Sequence, residues 1–240
     1  MSNVTLLDNI AHADLSVTRR SGAAFGDAVN QTLIFPTEVE AAQREFPILI
    51  QRDEEGAWQL VALLGFDRDE NLFLSGEIWS SHYIPAVHRR GPFLIGMHSR
   101  DGGEEPMIHI DLDDPRVGRN DTEGGEPLFL PHGGNGPYLD HVAQTLRDIH
   151  EGRDLMAPMF AAFEDAGLIR PVKLDIQIDE TRQYGIGNHF VIDGERLAML
   201  DAQTLHDLNH AGFLGLAFAI LTSLGNIERL IARKRDRLDD

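Results

Sequence analysis

Hydrophobic positions along this chain follow two periods, and the order in which those periods appear predicts the architecture. Val172, Leu174, Ile176 and Ile178 alternate with Lys173, Asp175, Gln177 and Asp179, the period of a strand with one buried and one wet face. Tyr184–Ile192 reads as its partner, after a turn near Asp179–Arg182. Ile48–Gln51 and Ala57–Leu64 form a second predicted pair, joined by the turn residues Asp53-Glu54-Glu55-Gly56. A further turn, Asp67–Glu70, leads into Asn71–Leu74, and residues 1–35 read as an extended entry segment. Helical spacing takes over elsewhere. Leu139, Val142, Leu146 and Ile149 predict an amphipathic helix over Tyr138–Glu151, and Leu155, Met159, Phe160 and Phe163 a second one stopped by Gly167. Thr37–Phe46 reads as a short helix between Pro36 and Pro47, since proline opens a helix but cannot continue one. Asp201–His210 and Phe213–Lys234 close the chain as helices broken around Gly212.

Strands that cluster as hairpins, with helices collected after them, argue for an α+β fold rather than an alternating βαβ one. The expectation is a mainly antiparallel sheet with helices packed on one face, a C-terminal helical segment, and a single domain over residues 1–240. Arg100–Pro127 departs from both periods. Nine acids fall there against Arg100, Arg116 and Arg119, glycines and prolines punctuate it, and Met107–Leu112 is its one strand-like stretch. It reads as an acidic, loop-rich excursion at the surface.

Charge and composition then narrow the function classes. The chain has 39 acidic side chains against 21 Lys and Arg, a net charge of -18, which is the wrong sign for a nucleic-acid partner. It has no cysteine, which removes disulfide scaffolds, iron–sulfur clusters and thiol nucleophiles. The N-terminal residues have neither a basic nor an apolar export region, so the expected location is cytoplasmic. The longest apolar run, Ala211–Leu221, is shorter than the roughly 20 residues that span a bilayer, so no membrane span is expected.

A collinear series of residues carries a resemblance. It runs through Glu38, Ala42, Phe46-Pro47-Ile48, Ala62-Leu63-Leu64-Gly65-Phe66, Asn71-Leu72-Phe73, Trp79, Tyr83-Ile84-Pro85-Ala86 and Arg89-Arg90-Gly91-Pro92-Phe93. It continues with Gly167-Leu168-Ile169, Val191-Ile192-Asp193, Leu197, Leu200, Leu208, Gly212 and Ser223-Leu224. In this order and spacing the chain resembles the SapC family of bacterial proteins over residues 36–230. Where that family usually has an aromatic residue between the arginine pair and Pro-Phe, this chain has Gly91. The resemblance implies no established reaction. It implies an accessory role, since such proteins often neighbour TonB-dependent receptors, flavin-dependent halogenases and cupin-like proteins. The link is to outer-membrane uptake or to modification of a cargo molecule or peptide.

Asn71, Trp79, Tyr83, Arg89 and Arg90 are the ligand-binding candidates. Trp and Tyr offer rigid faces with one polar tip, and Arg offers a planar fork for a carboxylate or phosphate. Together they suit an anionic or aromatic small molecule, or a peptide terminus. No cofactor is indicated on this reading. The enzyme alternative is a non-haem oxygenase holding Fe(II) through the H-x-D pair His109 and Asp111, with a distal His189, His141 or His150. His206 and His210 lie one helical turn apart but lack a third downstream ligand, and read as solvated. The glycine-rich run Pro131–Pro137 lacks the serine elbow or the Gly-Lys-Ser/Thr that an oxyanion or phosphate loop needs, and reads as a connector. The apolar C-terminal helix reads as core, and would equally serve a homodimer or a protein partner.

Overall fold

Residues 3–100, 103–120 and 122–239 are described by the computed structural model, the side chains of Ser99, Arg100 and Glu104 excepted. The strands in chain order are β1 (Val4–Leu6), β2 (Leu15–Thr18), β3 (Gln31–Ile34), β4 (Ile48–Arg52), β5 (Trp58–Leu63), β6 (Leu74–Ser75) and β7 (Ile78–Trp79). They continue with β8 (Phe93–Arg100), β9 (Gly103–Asp111), β10 (Val117–Arg119), β11 (Gly125–Pro127), β12 (Ile169–Gln177) and β13 (Gln183–Ile192). The helices are α1 (Val39–Ala42), α2 (Ala86–Arg89), α3 (Pro137–Asp165), α4 (Gly194–Ala198), α5 (Ala202–His210), α6 (Phe213–Ser223) and α7 (Asn226–Asp239). The described strands all pair antiparallel, which makes the fold α+β as the hairpin pattern predicts.

Where the sequence suggests one domain, the chain gathers into two compact units. Unit 1 takes residues 1–21 and 86–150; unit 2 takes 22–85 and 151–240. Each has its own core.

In unit 1, β1-β9-β8 and β10-β2-β11 are two small sheets. Leu15, Val17, Phe93, Ile110 and Leu128 pack with Tyr138, Leu139, Val142 and Leu146 from the first half of α3. The acidic excursion is therefore largely strand, a correction to the loop expected there. β9 pairs with β8 on one side and β1 on the other, and its apolar Ile110 is fully buried. Its acids serve turns: Asp111 Oδ1 accepts from the Asp113 backbone, and Asp114 Oδ1 from that of Arg116. Asp101 and Asp121 lie outside the described residues.

In unit 2, the sheet runs β12-β13-β4-β5-β3. Alternation sorts its faces. Ile48, Ile50, Leu60, Ala62 and Ile192 point into the main core, while Leu49, Val61 and Val191 form a small cluster of their own. The main core is completed by Phe46 and Val39, by Met159, Phe160 and Phe163 from the second half of α3, and by α5–α7. The two helical stretches predicted over 138–163 are one helix, α3, with Pro158 inside it. Pro158 removes one intrahelical bond without ending the helix. The stop comes where predicted, with Gly167 at φ +68 and Leu168 N–H bonded to the Phe163 carbonyl.

The run Phe213–Asp239 is long and apolar enough, by length and composition, to cross a membrane. Here it is interrupted at Leu224–Gly225, and one stripe is buried: Phe213, Ala217, Ile220 and Ser223, then Asn226, Leu230 and Lys234. Ser223 Oγ accepts the Ile48 N–H, and Asn226 Nδ2 donates to the Gln43 and Phe46 carbonyls, so polar members of the stripe are anchored to the sheet and to the end of the α1 segment. β12 is an edge strand carrying Pro171. A bulge sets Gly187 and Asn188, the latter at φ +60, opposite Lys173.

Candidate functional site

The five ligand candidates do not fall in one unit. Asn71, Trp79 and Tyr83 belong to unit 2, and each is engaged there. Asn71 is buried; its Nδ2 donates to the Asp27 carbonyl at 2.8 Å and its Oδ1 accepts the Phe73 N–H at 2.9 Å. The second bond closes the turn leading to β6, and the first ties that turn to the Asp27 backbone. Trp79 is buried in the main core with Phe46 and Phe73. Tyr83 donates from Oη to Glu38 Oε2 at 2.7 Å, and Glu38, itself buried, accepts the Phe35 N–H. Glu45 accepts the backbone N–H groups of His82 and Tyr83. These residues fasten the 71–83 loop around the α1 segment.

Arg89 and Arg90 belong to unit 1, on and just after α2. They meet a set of groups that no local motif announces. Arg89 Nη2 lies 3.8 Å from Asp148 of α3. Arg90 folds forward, its Nη1 donating to the Phe93 carbonyl at 2.5 Å. Burial, and then the neighbouring Arg116, pull its pKa down from the ordinary value. Arg116 is clamped by Asp114 through Nε at 2.9 Å and Nη2 at 2.6 Å. Burial alone would raise the Asp114 pKa, but the Arg116 hydrogen bonds hold it below the usual range. Arg90 thus stands beside the acidic segment without being neutralised by it. Among the described residues no carboxylate lies within ion-pair distance of its guanidinium.

Tyr138 stands on the other side of Gly91. It enters on the first turn of α3, after Pro137, and is 6% exposed. Its ring meets Phe93 edge-on at 6.1 Å, and the Arg19 guanidinium lies 4.9 Å from the ring centroid. Arg19 is paired in turn with Glu126 of β11 at 2.5 Å. Gly91 has φ +59, and a Cβ there would lie 3.2 Å from the Tyr138 hydroxyl. Glycine at this position keeps the space before that hydroxyl open and makes the left-handed turn without strain. The hydroxyl has no hydrogen-bond partner among the described residues. Burial pushes its pKa from 10.0 up to about 12, against the pull of Arg116 and Arg19. On α3, His141 is held below its ordinary pKa by burial and by Arg89 and Arg19.

The Tyr138 shift has a measurable sign. A pKa raised in the folded state contributes stability below the unfolded value and loses it as pH climbs to the folded one. Denaturation midpoints should therefore fall between pH 10 and about 12, and the fall should shrink in Tyr138→Phe. Alkaline difference absorbance should show the same late-ionising phenol disappearing from the variant.

The metal alternative finds no such gathering. His109 Nδ1 is 3.2 Å from the Met107 carbonyl and its ring packs across Gly96, while Asp111 Oδ1 accepts the N–H groups of Asn3 and Asp113. His189, in unit 2, is 2.7 Å from the Gly187 carbonyl through Nδ1 and 3.2 Å from Gln31 through Nε2. Among the described residues no group of three or more His, Asp or Glu is placed to hold a metal ion. His206 and His210 stack with ring centroids 6.1 Å apart on the exposed face of α5. Unit 1 instead gathers guanidinium groups and a buried phenol around Gly91.

The fold and this cluster define an α+β protein of antiparallel sheets with an arginine–tyrosine centre in one of its two units. A family model described as SapC matches residues 7–230, so the chain belongs to the SapC family. The match begins ahead of the 36–230 resemblance and takes in β2, an integral strand of unit 1. No curated protein and no solved structure matches the chain.

Proposed function

We propose that this SapC-family protein is a binding or accessory protein of the cytoplasm, and that it takes an anionic small molecule or an anionic peptide group at the Arg90–Tyr138 centre. One observation carries this reading. Arg90 is a half-buried cation without a carboxylate partner among the described residues, in a chain with 39 acidic side chains. Withdrawing a charge from water without pairing it costs several kcal/mol. Its neighbours Arg19, Arg89 and Arg116 each have a carboxylate within 4 Å. An arriving anion would complete the arrangement at Arg90. The accessory part of the reading rests on family membership and on the resemblance that links such proteins to uptake and cargo modification.

The test is a thermal-shift titration with benzoate and inorganic phosphate as probes, on the wild type and on Arg90→Gln. At least one anion should raise the midpoint of the wild type, and Arg90→Gln should need about tenfold more of it, the worth of one charge-assisted hydrogen bond. An unchanged midpoint with both anions, or an equal response in a variant whose circular dichroism is native, would overturn the reading.

A further inference from the structure

We infer that the group recognised at this centre is a carboxylate, a planar monoanion, rather than a phosphate. This inference rests on the anion-binding reading above and adds the charge and shape of the ligand. The charges around Gly91 nearly cancel in pairs. Arg19 faces Glu126, Arg116 is clamped by Asp114, and Arg89 faces Asp148. Only the Arg90 charge is left over among these groups, which matches one negative charge. A second charge would be opposed by the field of Asp114, which acts on Arg90 and Tyr138, and of Glu126, which acts on Tyr138.

Shape argues the same way. A guanidinium presents its N–H groups in a planar fork that carboxylate and phosphate both meet with two oxygens, so the choice between them falls to the number of donors and charges left over. Arg90 spends Nη1 on the Phe93 carbonyl, and that contact fixes the fork over the Gly91–Phe93 turn. The Tyr138 ring packs on the same Phe93, and its hydroxyl looks onto the space that a Cβ at Gly91 would fill. A carboxylate seated there takes N–H donors from Arg90 and the O–H of Tyr138. A half-buried guanidinium and a buried hydroxyl that lack a carboxylate acceptor among the described residues would thereby be satisfied together. A tetrahedral dianion needs more cations and more donors than this centre leaves uncommitted.

Isothermal titration of the full chain with benzoate, inorganic phosphate and the neutral analogue benzyl alcohol decides it, using the wild type, Arg90→Gln and Tyr138→Phe. Benzoate should bind at least about tenfold more tightly than phosphate, with no heat from benzyl alcohol. Tyr138→Phe, which keeps the ring and its packing, should weaken benzoate about tenfold through the one lost hydrogen bond. Phosphate binding more tightly than benzoate, and lost in Arg90→Gln, would overturn the carboxylate assignment and leave the anion-binding reading standing. Benzoate binding indifferent to Tyr138→Phe would also overturn it. Failure of both anions to bind the wild type would overturn the assignment and the reading beneath it.

Discussion

Lys234→Met should destabilise the protein by about 3–5 kcal/mol, the cost of leaving one member of a buried ion pair without its partner. Lys234 lies on α7 with its side chain 6% exposed, and its Nζ is 2.6 Å from both Asp67 Oδ2 and Glu70 Oε1. Glu70, whose side chain is 14% exposed, also accepts the Phe66 N–H, so its carboxylate cannot swing out to water cheaply. Tyr184 donates to the same Asp67 oxygen at 3.0 Å. The pH dependence follows from the directions of the shifts. Burial pulls the Lys234 pKa down, but hydrogen bonds to Asp67 and Glu70 raise it above 10.5 overall. Its contribution is complete below that value and is lost as pH rises beyond it. Asp67 is held below 3.8 by Lys234, so its share is present above that value and is lost as pH falls through the lowered one. Urea denaturation of wild type and variant should show the full difference near neutral pH and a smaller one in strong acid. A difference that persists undiminished in acid would mean packing of the lysine stem, not its charge, does the stabilising.

Gly152→Ala should destabilise by about 1–3 kcal/mol, against the usual sign for glycine inside a helix. A helix-interior glycine is normally about 1 kcal/mol worse than alanine, so replacement is expected to help. Gly152 sits in α3 where a Cβ would come within 2.5 Å of the Phe35 Cβ and 2.6 Å of Thr37 Oγ1. The Phe35 Cβ is fixed to the backbone and cannot retreat as a flexible tip would. Gly215 in α6 provides the control, because it is exposed and nothing lies within 4 Å of its Cβ direction. Gly215→Ala should stabilise by about 1 kcal/mol. Opposite signs for the two alanines in one denaturation series would establish the close approach at Gly152. Equal signs would refute it.

The parts of the fold visible in the sequence are those built from neighbours. The β4–β5 and β12–β13 hairpins, the Gly167 stop and the break at Gly212 each follow from a period or a turn residue acting within a few positions. What escaped depends on distant partners. The acidic 100–127 run looks like a loop until β8 and β1 flank β9, and no local pattern reports that pairing. Likewise, the chain leaves unit 1 after Ser21 and returns at Ala86, a division made by contacts far apart in sequence. The site shows the same limit. Arg89 and Arg90 are visible in the sequence because the Arg-Arg-x-Pro-Phe run carries the resemblance. Tyr138 reads only as the start of a helix, since nothing in its local sequence says that it faces Gly91. Asn71, Trp79 and Tyr83 shared the same resemblance, but their side chains are committed to the packing of unit 2.

The irregular edge at β12 has a consequence for concentrated solutions. An unpaired outer strand is ordinarily a template on which another chain can polymerise, extending the sheet from molecule to molecule. Pro171 offers no amide hydrogen to such a neighbour, and the extra residue that β13 carries opposite Lys173 twists the hairpin out of the flat path that stacking requires. Lys173 adds a charged ammonium, three-quarters exposed, along that border. The protein thus carries its own safeguard against runaway sheet growth in the hairpin that completes its largest sheet.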